Sequence, residues 1–252
     1  MAEIATSHLS GSFLLASNAT VTIGGAPRTI AAGYYYLPDL LTALQTEVVA
    51  VVPGSTVKLL KNRKVHIDFN GSSTTLVIPA ALAEELGFTS SPYAGATSRT
   101  AENVSRLWWS PGWPETTEMS PVGLAGRKVY DRVMTSSPTG LTFDVTTHHS
   151  QTLLDMRWFA VPQDRVWTTA ENPWEYASFF EQVIVQGYRF KLYSGLTATE
   201  DPTSTAEMVL PTALGPYVVP EPNYEWYQRF NQNSDALGAN IEIRALKTSE
   251  YT

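Results

Sequence analysis

Between Leu141 and Gly195 the chain writes out three elements in succession: LTFDVTTHHSQTLLDMRWFAVP, then NPWEYASFFEQVIVQG, then YRFKLYSG. Phe143 and Val145 alternate with polar residues, as do Leu154, Met156 and Trp158, and this period of two predicts a pair of strands. Asn172 as N-cap, Pro173 at the first helical position and Glu175 three residues on form a capping-box start. The helix that follows presents Trp174, Ala177, Phe180 and Ile184, with Phe179 and Val183 beside them, and stops at Gly187. Tyr188, Phe190 and Leu192 then alternate against Arg189, Lys191 and Tyr193. A period of two cannot be buried by helix packing, so the chain must build sheet.

The N-terminal third repeats that lesson on a smaller scale. Thr20–Ile23 and Arg28–Ile30 flank Gly24-Gly25 and read as a hairpin with a tight glycine turn. Leu37-Pro38 opens a helix, Leu40, Leu41, Leu44 and Val48 keep the spacing of a buried stripe, and Pro53-Gly54 ends it. Val57 and Leu59 alternate before Lys61–Lys64, and Val65, Ile67 and Phe69 after it, which predicts a second hairpin. Thr75–Ile78 gives another strand, and Pro79–Leu86 a short helix closed by Gly87.

A small, turn-rich stretch over Ser90–Ser98 reads as a connector, followed by LWWSPGWP. Trp108, Trp109 and Trp113, broken by Pro and Gly, cannot share a regular helix. Three roles stand open for them: a plug between modules, a subunit interface, or a platform for a sugar ring. The expected organisation is an N-terminal α+β module over residues 1–93, a Trp-rich connector over 94–119, and a β module over 120–252 that carries the capped helix. The fold class expected is mainly β, in sandwich-like modules with two or three short helices.

Charge and cysteine usage exclude several classes. Eight acidic residues between Leu196 and Thr252 stand against Arg229, Arg244 and Lys247, so that stretch carries −5 of the net −7. No cluster of Lys and Arg interleaved with aromatics occurs, which argues against direct nucleic-acid binding. Cysteine is absent, which excludes disulfides, thiolate metal sites and a cysteine nucleophile. The first residues lack a basic run and a long apolar run, and no window approaches a membrane span, so neither a cleaved signal nor a spanning helix is expected. Charged residues make up 16% of the chain, below the usual quarter or so; with twelve Tyr and seven Trp, that composition hints at surface covered by neighbours.

No catalytic set can be assembled. His148-His149 lies in no ligand spacing and reads as a turn at the end of a strand, and Glu84-Glu85 reads as the solvated face of a short helix. G-x-S-x-G, the P-loop and H-E-x-x-H are all missing. The Asn-x-Ser/Thr triplets at Asn18, Asn70 and Asn103 read as chance occurrences. No cofactor or metal is expected, and no enzymatic role.

The order DMRWFAV, EYASFFEQV, then Gly-x-x-Phe-x-Leu-Tyr resembles the distal-tail and minor-tail proteins of long-tailed bacteriophages. The segments TIGG, KVHIDF and LAEELGF look like small β-rich modules of viral structural proteins. The resemblance implies a virion subunit, made in the host cytoplasm, that forms a homo-oligomeric ring at the tail end and docks other tail proteins. It makes Trp108, Trp109, Trp113, Trp174, Phe179 and Phe180 the candidate interface. A head–tail connector or tail-tube subunit would share the same features, and a glycan-binding virion module would use the Trp loop.

Overall fold

A computed structural model describes residues 7–89, 91–109, 125–136, 142–162, 188–194, 201, 203–210, 212–218, 225–227 and 236–245. These residues are mostly β, in several antiparallel sheets, with two helices.

The chain enters through β1 (Ser7–Gly11) and β2 (Phe13–Leu15), which the sequence pattern does not announce. The first predicted hairpin follows as β3 (Ala19–Ile23) and β4 (Ala26–Ile30). Gly24 and Gly25 both take positive φ (55° and 83°), as a type I′ turn demands. After β5 (Gly33–Tyr35) comes α1 (Leu37–Val51), whose Leu37, Leu40, Leu41, Leu44 and Val48 are all buried. Full burial of each such side chain contributes about 1.5–3 kcal/mol.

The N-terminus of α1 has an unusual cap. Tyr36, in the extended region at φ −87°, offers no side-chain acceptor. Instead the Leu37 N–H donates to the hydroxyl of Ser10 on β1, 3.0 Å away. Pro38 sits in the first turn, where its missing N–H removes nothing from the helix.

The second hairpin is β6 (Thr56–Leu59) and β7 (Val65–Asp68), with Arg63 at φ 64° in the turn. Then come β8 (Thr74–Val77) and α2 (Ala80–Leu86), capped by Gly87 at φ 85°. A Cβ at Gly87 would stand 2.3 Å from the Asn103 carbonyl oxygen, so both the backbone and the packing require glycine there.

Residues 94–100, read from composition as connector, instead form β9 (Tyr93–Ala96) and β10 (Ser98–Thr100). β9 pairs with β8, and β10 with β7. Both strands lie at the margins of their sheets, and β9 contributes the buried Tyr93, whose ring packs edge-on against Phe88.

The remaining strands are β11 (Trp108–Trp109), β12 (Ala125–Ser136), β13 (Thr142–Pro162), β14 (Phe190–Ser194), β15 (Ala213–Val218), β16 (Glu225–Tyr227) and β17 (Ala236–Ala245). With β1 they make one eight-stranded sheet, ordered β11-β1-β14-β15-β17-β13-β12, with β16 also paired to β17. β1 is thus hydrogen-bonded between Trp108–Trp109 and Phe190–Ser194, and the sheet draws on both sides of the predicted connector.

The two strands predicted around Phe143 and Leu154 are one strand, β13, of 21 residues, and its hairpin partner is β12. Nothing in TTHHSQT turns a chain: it holds no Gly, Pro, Asn or Asp. His148-His149 therefore lies within a strand and not at its end. The register passes from Asp131↔His149 to Arg132↔Thr147, which leaves His148 as the extra residue of a β-bulge. The predicted strand at Val209–Leu214 begins later, at Ala213. The predicted helix from Asn172 to Gly187 lies outside the described residues.

Candidate interaction surface

The hairpin of β12 and β13 has a distinctive geometry. β17 pairs with β13 only from Leu153 onward, so Thr142–Thr152 is bonded to β12 alone among the described strands. β12 in turn pairs with β13 alone. Among the described strands, the distal part is thus a two-stranded ribbon that runs past the sheet with no further strand paired to either edge. Open edges of this length are what natural sheets avoid unless something pairs with them, and a lone two-stranded hairpin is marginal in water.

Beside the other end of the sheet, β2 and β5 form a separate two-stranded unit. Leu14 and Tyr34 are cross-strand neighbours, exposed by 42% and 51%. The Arg189 guanidinium lies 4.9 Å from the centre of the Tyr34 ring. Two residues on, Lys191 Nζ stands 4.2 Å from the centre of the Tyr36 ring and 3.3 Å from Asp39 Oδ2. The alternation read in β14 thus places Phe190 and Leu192 in the core and aims the two cations at tyrosines.

Tyr193 departs from that alternation and is buried, its ring 5.2 Å from that of Trp108. Trp108 also stacks on the buried His8 at 5.4 Å. Burial raises the Tyr193 hydroxyl pKa, with the Asp39 carboxylate and Tyr36 adding to it, so the phenol stays protonated and is no nucleophile.

Trp108 and Trp109 are 0% and 2% exposed. Both rings are buried within the chain where β11 pairs with β1 at one margin of the sheet. Local sequence could not reveal this, because burial of β11 depends on pairing with a strand a hundred residues away. Trp113, Trp174, Phe179 and Phe180 lie outside the described residues.

Glu84 and Glu85 also separate. Glu84 is exposed and pairs with Arg106 at 2.5 Å, whereas the Glu85 side chain is only 15% exposed. Burial pushes the Glu85 carboxyl up to about 7 against the attraction of Arg106, 3.8 Å away. Glu102 behaves in the opposite way. Burial works upward on it, but hydrogen bonds from the Thr89 N–H and the Tyr93 hydroxyl, both 2.9 Å, outweigh that and hold it below the usual range. The His66 ring is lowered by burial and by Lys58, with Asp68 opposing.

Two open clefts lie among the described residues: one of about 580 Å³ beside α2, lined by Val77, Phe88, Pro92 and Asn103, and one of about 500 Å³ between α1 and β6. The second is lined by Lys58 and Glu207, whose charged groups stand 3.9 Å apart. Among the described residues no group of three or more His, Cys, Asp or Glu could hold a metal ion, and no helix is long and apolar enough to cross a membrane. No protein-family model matches the chain, and no curated protein matches it.

Proposed function

We propose that this chain is a non-catalytic structural subunit of a bacteriophage tail, a ring-forming distal-tail or tail-tip protein that docks neighbouring tail proteins. The observation that carries the reading is the ribbon of β12 and β13, neither edge of which is paired by another described strand. Adding β13 of one copy to β12 of the next preserves antiparallel alternation and covers both edges at once. Such head-to-tail contacts generate a ring when the rotation closes. A two-fold β12–β12 contact would cover one edge and leave the other bare. The strand–helix–strand order of tail proteins supports the same assignment, and a ring with an acidic C-terminal stretch would repel DNA phosphates rather than hold them.

The absence of cysteine makes the test clean. Val129→Cys alone, and combined with Thr146→Cys, are oxidised and run without reductant. Within one chain Val129 faces Gln151, five positions from Thr146 and about 16 Å away at strand rise, beyond disulfide reach. The same pairing is repeated with the second cysteine moved along Thr142–Thr147, which keeps it at least four positions from Gln151. A ladder of multimers from a double variant, with monomer from Val129→Cys alone, is the expected result. Mass measurement on purified virions then decides the tail assignment. A protein that stays monomeric, is absent from particles and hydrolyses an ester or glycan would overturn the reading.

A further inference from the structure

The turn between β7 and β8 carries the one Asn-Gly dipeptide in the chain, Asn70-Gly71. Both residues are exposed. Their φ angles are 51° and 77°, and the Ser72 N–H donates to the Phe69 carbonyl at 2.9 Å, which together define a type I′ turn. A Cβ at Gly71 would meet nothing within 4 Å, so the space beside the Gly71 backbone is open.

The Asn70 side chain is also a fastener. Its Nδ2 donates to the Pro53 carbonyl at 3.2 Å, and the amide lies against Gly54, where an added Cβ would come within 2.5 Å of that nitrogen. It thereby ties the β7–β8 turn to the loop that leaves α1.

We propose that Asn70 is a site of backbone-mediated deamidation, held back by its own turn and released when the turn opens. The Gly71 amide nitrogen gives up its proton to base and attacks Asn70 Cγ. The Gly71 N–Cγ bond forms, the Cγ–Nδ2 bond breaks, and Nδ2 takes back a proton from the conjugate acid of that base and leaves as ammonia. One water then opens the cyclic imide at either carbonyl, giving aspartate or isoaspartate with no change of oxidation state. Glycine makes this attack easy because no side chain crowds the nucleophile. A type I′ turn opposes it, because that geometry turns the Gly71 nitrogen away from the Asn70 side chain.

The atom expelled is the one that donates to Pro53. Conversion therefore replaces a donor facing a carbonyl oxygen with a carboxylate facing it, next to Asp68, whose Oδ1 already accepts the Asn70 N–H at 2.9 Å. The isoaspartyl product also lengthens the backbone by one atom inside a two-residue turn. The reaction cuts the tie between the β7–β8 turn and the exit of α1.

The test uses the full chain, folded and in guanidinium chloride, incubated in the same mildly alkaline buffer. Peptide mapping follows the amide-to-acid mass gain, and an isoaspartate-specific methyltransferase assay reports the isomer. In denaturant, Asn70 is expected to convert before every other asparagine. In the folded protein the same peptide is expected to convert roughly tenfold more slowly or less, as a reaction routed through local opening does. Asn70→Gln should abolish both signals at this peptide while leaving the fold intact by circular dichroism. Equal rates with and without denaturant would overturn the gating, and retention of Asn70 in denaturant while other asparagines convert would overturn the site itself.

Discussion

The side-chain amide of Gln45 hydrogen-bonds the backbone at Val57 as a neighbouring strand would. Its Oε1 accepts the Val57 N–H, and its Nε2 donates to the Ser55 carbonyl at 2.7 Å. Further along, the same edge of β6 is met by the chain itself: Leu60 bridges to Glu207, and the Met208 N–H donates to the Leu59 carbonyl at 2.9 Å. This edge is closed by a helix side chain and a returning segment, in contrast to the β12–β13 ribbon, whose edges no other described strand pairs.

Gln45→Ala leaves a donor and an acceptor on β6 without their partner. A loss of about 1–3 kcal/mol is expected, read as a lower urea midpoint with unchanged slope. Gln45→Glu should not rescue it, because a carboxylate offers Ser55 no donor. Full stability in either variant would show that the edge is satisfied by other means.

Ser10→Ala removes the acceptor of the Leu37 N–H at the start of α1. N-cap losses run at about 1 kcal/mol, rising toward 2 where the orphaned donor is buried, as here. Ser10→Thr should retain most of the stability if its methyl group is accommodated. The check is thermal unfolding of both variants beside the parent.

Much of the fold was legible because much of it is local. β3–β4, α1, β6–β7 and α2 follow from period, turn residues and caps within a few positions of each element. β1 was not legible: His8, Leu9 and Ser10 are all buried, so the strand shows no alternation. The polar middle of β13 reads in sequence as a break between two strands, although it contains no Gly, Pro, Asn or Asp. The candidate surface was least legible. Whether an edge is open depends on which strands lie beside it, and pairings such as Leu9 with Trp109 and Leu192 join residues too far apart for any local pattern.

Gly87→Ala meets two separate obstacles. The residue must adopt φ near 85°, which costs an L-residue about 1–2 kcal/mol. Its Cβ must also displace the Asn103 backbone, from which the Gly87 carbonyl accepts a 3.0 Å hydrogen bond. A loss greater than the left-handed cost alone is expected from chemical denaturation. A loss near 1 kcal/mol or below would mean that the Asn103 segment gives way freely.

Trp108→Ala separates core from interface. A fully buried indole packed on His8 and Tyr193 should cost about 3–5 kcal/mol when truncated. The loss should be the same at low and high protein concentration, since no partner is involved. A loss that appears only at concentrations where the protein self-associates would return this tryptophan to a subunit contact.

Glu85 makes stability depend on pH in a direction opposite to that of most carboxylates. Its pKa in the fold is about 7, above the ordinary 4.5, because burial disfavours the charge more than Arg106 supports it. Between these values the folded state holds a proton that the unfolded state has already lost, so stability falls as pH rises. The contribution is fully present below about 4.5, declines through the window and is gone above about 7. The shift corresponds to at most about 3 kcal/mol. Arg106 retains its contact with Glu84 when Glu85 is neutral, so the lost attraction takes back little of the gain. Glu85→Gln should therefore match the parent in acid and exceed it above neutrality, flattening the urea midpoint against pH across that window. A variant that is less stable than the parent above pH 7 would mean that the ionised Glu85–Arg106 contact outweighs the desolvation, and that the carboxyl titrates in the ordinary range.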